Sequence, residues 1–281
     1  MLGVTDQDCL SYLSAIVGKH LPGRHEQKTH GHPGAREVPQ GVSVVVPRSR
    51  PPGAENVRVS RETLPGSLPL EELLRGMGVS SIEDVQDLFA AGEDVDVEVT
   101  LFTSTYKGVT ANAKLTLRVG QLWSHLGVAE RSFDLEKGAI HNISLEITEQ
   151  QKGVASALYD NEIAWGRSHG YKQIQLFADV TIGRYAWARK GFDYANPQDA
   201  RDATQFFPVW AQARGIAEPP GGWPVFKHAK DVADYDIPGV RVPKGAIRND
   251  DVKDEAMHVG KAYMLDRNDD GHGSWHGVLS L

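Results

Sequence analysis

The chain has 281 residues, of which 40% are hydrophobic, 24% charged and 8% aromatic, enough to bury a sizeable core as one large domain with appendages. That composition excludes full-length disorder and collagen-like or disulfide scaffolds, and the single cysteine, Cys9, cannot close an internal disulfide, which points to a reducing compartment. Apolar runs such as Val44–Val46 and Leu88–Ala91 fall far short of the ~20 residues of a bilayer span, and the N-terminus shows no basic region followed by an apolar one. The expectation is a soluble protein, without a membrane partner, acting inside a cell or a particle.

Net charge is −7 and unevenly spread. Residues 1–61 hold eight Lys/Arg and five Asp/Glu, a net of +3, while the rest carries 22 basic and 32 acidic groups, a net of −10. An acidic body repels phosphate backbones, so no specific nucleic-acid partner is expected. The basic arm suits either a solvated linker or weak contact with an acidic surface.

In chain order, Cys9–Val17 forms a short amphipathic stretch closed by Gly18. Residues 19–66 collect seven prolines and many glycines, which cannot propagate a helix or ladder for long; this is read as a linker, broken by one strand-like island at Val42–Val46. Organised structure is expected from Ser67. Leu68, Leu70, Leu73 and Leu74 mark a helix ended by Gly76 and Gly78, and Ser80 or Ser81 caps a second helix with Ile82, Val85, Leu88 and Phe89 as its apolar stripe. The period then changes to two. Val95, Val97, Val99 and Leu101, and after a turn at Lys107-Gly108 Ala113, Leu115, Leu117 and Val119, predict an antiparallel hairpin. Ile140–Ile147 is a third strand, followed by Gln150-Gln151-Lys152-Gly153-Val154-Ala155 and a long helix to Gly170, a strand over 174–178, and a helix from Ile182 to Lys190 before Gly191-Phe192. That order describes an α+β fold around a mixed, mostly antiparallel sheet flanked by helices.

The segment between the third strand and the long helix carries the chemistry. A small-residue turn at a helix N-terminus presents unpaired backbone N–H groups and the positive dipole end, an anion site suited to pyrophosphate. Gly153 and Ala155 admit close approach, and Lys152 adds charge.

The Gln-x-x-Gly-x-Ala pattern resembles the acetyl-CoA pyrophosphate loop of the GNAT superfamily of N-acetyltransferases. Residues Ile182–Phe192 resemble that family's next helix, which crosses beside the pantetheine arm and ends in Gly-Phe, and the spacing from Gly153 to Gly191-Phe192 is similar. The resemblance spans about residues 67–194 and is specific over 143–193. It implies a GNAT-like core at 67–194, a flexible N-terminal arm at 1–66, and a divergent C-terminal extension at 195–281 packed on the core. It implies that Leu145, Glu146 and Ile147 on a splayed strand offer backbone groups to the acyl carbonyl and pantetheine. The pyrophosphate would lie on the amides of Gln151, Lys152, Gly153, Val154 and Ala155, next to Gln150. The cofactor would be acetyl-CoA, leaving as CoA, and the acceptor an amine of a small molecule or a protein. Because a thioester is already activated, positioning an amine and removing its proton is most of the task. Glu146 and Glu149 are the carboxylates nearby; each suits either a base or a solvent-facing strand-end charge.

The chain departs from the family pattern at two positions. Where the family often has Asn and Tyr, this chain has Val180 and Trp187, the latter placed beside the pantetheine arm. An indole N–H cannot protonate a thiolate, and Tyr185, two residues earlier, lies about 200° around the helix. Three alternatives stand: another acid serves, Tyr185 included; the thiolate leaves unaided; or the fold binds without catalysing.

Two further patterns stand outside that frame. Lys19–Gly31 resembles a short His-Leu-Pro/Ala-Gly-x-His-x-Gln-x-x-His-Gly signature of bacteriophage head-module proteins, which implies a phage or prophage origin, a place in the bacterial cytoplasm or the virion, and capsid or head proteins as partners of the arm. Its histidines, His20, His25, His30 and His32, match no closed tetrahedral metal spacing. Asp266–Gly271 fits the first half of a calcium loop, but the twelfth position is Gly277 rather than Glu, and His272, Ser274 and His276 lack the elbow and acid of a hydrolase triad. No metal is expected. Two functions are carried forward: an acyl-CoA-dependent N-acyltransferase, and a virion- or head-associated protein that keeps the fold as a scaffold.

Overall fold

The computed structural model describes residues 50–64, 66–103, 111–119, 124–147, 153–178, 183–250, 252, 254–266 and 274–281. The amphipathic stretch at Cys9–Val17, the Val42–Val46 island, the Lys19–Gly31 signature and the Lys107-Gly108 turn lie outside these residues.

The first half of the described chain follows the expected order. Helix α1 (Leu70–Gly76) closes with Val79 N donating to Leu74 O, and α2 (Ile82–Phe89) starts at Ser81, whose hydroxyl accepts from Asp84 N at 3.2 Å. That is the N-cap which the serine at this position predicts, worth about 1 kcal/mol. Strand β2 (Val95–Phe102) alternates buried and half-buried residues along its whole length and pairs antiparallel with β3 (Ala111–Val119). The period of two therefore forms the expected hairpin.

Two strands of this half went unseen in the sequence. Val57–Arg61 forms β1, an edge strand that pairs parallel with β2, so part of the stretch read as linker is a strand of the sheet. Its only apolar alternation is Val57 and Val59, too short to stand out among prolines. Strand β4 (Ser124–Asp134) lies between β3 and β5 (Ala139–Ile147). Its sequence, with Gly127, Glu130, Arg131 and Ser132, has no clean alternation, because it bulges and buries a charge.

After β5 come α3 (Val154–Ser168), β6 (Gln173–Ala178), α4 (Gly183–Arg189) and the two-residue β7 (Asp193–Tyr194). Among the described residues, eight strands form one sheet in the order β1-β2-β3-β4-β5-β6-β10-β7, where β10 is Trp275–Ser280. Only the β1–β2 and β5–β6 pairs are parallel. This is the expected α+β architecture. Phe133 of β4 meets Phe89 of α2, Trp165 of α3 and Tyr171 edge-on at 6.1–6.4 Å, and Tyr171 Oη donates to Met77 O. These contacts tie the helices to the middle strands.

The chain beyond Tyr194 builds α5 (Pro197–Ala213), α6 (Ala229–Asp234), a small ladder of β8 (Val242–Pro243) with β9 (Ala256–Met257), and α7 (Val259–Leu265). Phe207 is fully buried, with Trp210, Trp223, Phe226, Tyr235 and Tyr263 around it at 5.1–5.9 Å. The tail aromatics therefore form a core, and burying Phe207 alone stabilises by about 1.5–3 kcal/mol. The tail also returns to the sheet, because β10 inserts between β6 and β7. Asp266, at the head of the calcium-like pattern, is fully buried and turned inward. It accepts from Trp210 Nε1, Arg214 and Arg248 N, so its carboxylate belongs to this core; residues 267–273 lie outside the description.

Candidate functional site

Strands β5 and β6 run side by side only from Ala139↔Gln173 to Asn142↔Leu176. Beyond that register β5 continues five residues to Ile147, held on its other edge by β4, with Leu145 opposite Ala129 and Ile147 opposite Gly127. The two parallel strands splay apart, and among the described residues one edge of β5 from Ile143 onward has no strand partner. Backbone N–H and C=O groups on that edge need another partner, water or ligand.

A buried polar cluster sits where the strands part. Register shifts between Glu130 and Arg131 leave Ile143 as the extra residue of a bulge on β5. Arg131 Nη1 donates to Ser144 O at 2.9 Å and Glu130 O at 3.1 Å, bridging the bulge. Its Nε lies 3.3 Å from Glu162 Oε1 on α3, with both side chains 3% exposed, and Asn142 Nδ2 donates to the other Glu162 oxygen. Burial pushes the Glu162 carboxyl up, against the pull of Arg131 and Asn142. Tyr159 Oη and Asn142 Oδ1, nearby, have no hydrogen-bond partner among the described residues, and burial pushes the Tyr159 hydroxyl far above its ordinary range. The sequence reading did not single out this cluster. Its signal was present: Glu162 lies on the helix face of Val154, Leu158 and Trp165, where a charge must find a partner.

Helix α3 begins in front of the splay. Gly153 precedes it at φ 70°, a left-handed conformation that favours glycine, and a Cβ there would meet nothing within 4 Å. Among the described residues no side chain caps the helix. Ala157 N donates to Gly153 O, so the amides of Val154, Ala155 and Ser156 stand ahead of the first intrahelical bond, in the positive end of a 15-residue dipole. An anionic group can approach closely because Gly153 has no side chain. The described part of the loop, Gly153 to Ser156, leaves room and backbone donors suited to an anion such as the phosphates of an acyl-CoA, while Gln150, Gln151 and Lys152 lie outside the described residues.

Of the residues named from sequence, the structure brings together Leu145 and Ile147, half-buried against the core, and Glu146, exposed between them on the opposite face of β5. Gly153, Val154 and Ala155 follow at the helix start. Glu149, Gln150, Gln151, Lys152 and Val180 lie outside the described residues. Trp187 packs beside α3, its ring tilted 4.9 Å from Tyr159 and edge-on 5.7 Å from Phe192, with its Nε1 3.5 Å from where a Gly183 Cβ would be. Tyr185 does not join them. It faces α7, with Lys261 Nζ 5.3 Å from its ring and His258 at 6.3 Å, as a 200° separation from Trp187 requires.

No protein-family model and no curated protein matches the chain. Among solved structures it is similar to a nourseothricin acetyltransferase, at 19% identity with a TM-score of 0.26 over 30% of this chain and 52% of that one. It is also similar to an IAA acetyltransferase from Bacillus cereus, at 15% and 0.26 over 30% and 57%, and to a GNAT family acetyltransferase from Elizabethkingia anophelis with acetyl-CoA bound, at 13% and 0.26 over 30% and 56%. This chain therefore spans little more than half the length of the structures it matches.

Proposed function

We propose that this protein is an acyl-CoA-dependent N-acyltransferase that moves an acetyl group from acetyl-CoA to an amine. The observation that carries the proposal is the splay of β5 from β6 together with the glycine-started α3 that follows β5 in the chain. One feature supplies an open backbone edge for an amide-rich arm, the other a set of amides for a diphosphate. Bound acetyl-CoA supplies an acyl group already activated as a thioester.

The unpaired edge at Leu145–Ile147 orients the pantetheine arm and the acyl carbonyl through backbone hydrogen bonds. Gly153, Val154 and Ala155 hold the pyrophosphate, with Gln150, Gln151 and Lys152 completing the loop. Glu146, exposed at the strand end, takes the amine proton directly or through water, with Glu149 as the second carboxylate. Trp187 walls the arm and moves no proton. Tyr185 is assigned no step, since its ring meets α7. A thiol of ordinary pKa near 8.5 is a competent leaving group as thiolate, so the reaction does not require an acid at position 187.

The substitution at Trp187 also favours a second reading, a scaffold that binds CoA or nothing and serves a phage head through its N-terminal arm. Calorimetry with acetyl-CoA separates the acyltransferase from a scaffold that binds nothing. Wild type should bind, and Gly153→Glu, which puts a bulky anion in the cradle, should lose binding at least tenfold while melting as a folded protein. Absence of binding by folded wild type overturns the acyltransferase proposal.

A further inference from the structure

Strand β10 runs antiparallel to β6 with Trp275 opposite Ala178, the last residue of β6. Arg184 is in the first turn of α4, six residues beyond that strand end. Both therefore lie at the end of the sheet where β5 and β6 have parted. Between them and α5 is a cavity of about 70 Å3, lined by Arg184, Tyr194, Asp199, Asp202, Tyr263 and Trp275 among others. At ~10–15 Å3 per water on this measure it holds roughly five non-hydrogen atoms.

Its polar groups are unevenly satisfied. Asp199 and Asp202 are three residues apart on α5 and share a face. Asp199 Oδ2 accepts from His276 N at 3.0 Å and Asp202 Oδ1 from Gln198 Nε2 at 2.6 Å; the second oxygen of each accepts nothing among the described residues. Burial, and to a smaller extent the neighbouring Asp202, hold the Asp199 carboxyl above its ordinary range. Two other lining residues, Tyr263 and Trp275, are 3% exposed, and their Oη and Nε1 have no hydrogen-bond partner among the described residues. A buried donor without an acceptor is costly, so two of them in the lining of a cavity with two half-used carboxylates mark an incomplete site.

We propose that this cavity binds the amino-alcohol unit of the acceptor, a primary ammonium two carbons from an oxygen. The ammonium donates to the open oxygens of Asp199 and Asp202, where two carboxylates outweigh one guanidinium. The neighbouring oxygen accepts from Trp275 Nε1–H and Tyr263 Oη–H. Four non-hydrogen atoms fit the volume, and a carboxylate-bearing ligand is disfavoured by two like charges. Binding here stands alone; its role as acceptor site rests on the acyltransferase proposal.

The test uses the full chain and the indole N–H resonances in a 15N–1H spectrum, with Trp275→Phe identifying the Trp275 signal. Ethanolamine should shift that signal saturably, ethylamine more weakly by about tenfold, and ethylene glycol not at all. Asp199→Asn and Asp202→Asn, which keep the His276 and Gln198 contacts, should each weaken ethanolamine tenfold or more with acetyl-CoA affinity unchanged. Tyr263→Phe should weaken it severalfold. An unmoved Trp275 signal, a shift that survives both Asn variants, or preference for glycine over ethanolamine overturns the assignment, even if acetyl-CoA binds. Ethanolamine binding without acetyl-CoA binding upholds the cavity and overturns the acyltransferase.

Discussion

From Ala139 to Asn142, β5 is paired on both edges and three of its four residues are buried; from Ile143 to Ile147 it is paired with β4 alone and none is buried. One strand thus holds a piece of core and a piece of cleft. The outer half keeps its extended form without its second neighbour because Arg131 ties the bulge to Ser144 O and Glu162 anchors Arg131 from α3. The lesson is that an open strand edge needs a buried brace, and here the brace is ionic rather than apolar.

Breaking the brace should have the largest effect. Arg131→Met leaves Glu162 buried without its cation and should destabilise by about 3–5 kcal/mol near neutral pH, measured by denaturant unfolding; a loss under ~1 kcal/mol would show the pair is not the brace. The penalty has a direction in pH. Burial already raises the folded-state pKa of Glu162, and losing Arg131 raises it further. Between the unfolded value and the folded one, only the unfolded chain ionises, so stability falls as pH rises through that window. The variant should therefore approach wild type near pH 4 and diverge from it toward pH 8. Adding Glu162→Leu should recover much of the loss and flatten the pH dependence.

Next in size, Ile140→Ala in the inner half, fully buried, should cost about 2–5 kcal/mol. Gly127 lies opposite the outer half, where a Cβ would come 2.1 Å from Glu146 O. Gly127→Ala should cost about 1–3 kcal/mol and weaken acetyl-CoA binding more than Ile140→Ala does. Equal effects on binding would remove the distinction between the halves. Smallest, Ile143→Ala at 53% exposure should stay within about 0.5 kcal/mol of wild type in thermal or denaturant melts.

Much of this was legible. Ser81, the Val95–Leu101 alternation and Gly153 each announce their element through chemistry confined to a few residues, and the helical angle between Tyr185 and Trp187 already implied that they face different neighbours. What was illegible shares one cause. Strand β1 is two valines in a proline-rich stretch, β4 breaks its period to bury Arg131, and β10 enters the sheet roughly a hundred residues after β6. Each depends on a partner that no local window contains. The cavity at Asp199, Asp202, Tyr263 and Trp275 was invisible for the same reason, being assembled from α5, α7 and β10.

The sequence by itself determined where helices start, where the period changes from 3.6 to two, and that a glycine-started helix follows the third strand read from it. Those properties follow from capping, side-chain spacing and the absence of a Cβ, which act within one turn or one strand. Only the tertiary structure decided that β5 leaves β6 after Asn142, that Arg131 and Glu162 meet beneath the gap, and that the tail closes the sheet beside it. Strand pairing and buried charge are settled between residues far apart in the chain, because a hydrogen-bond ladder and a desolvated ion each require a specific partner in space.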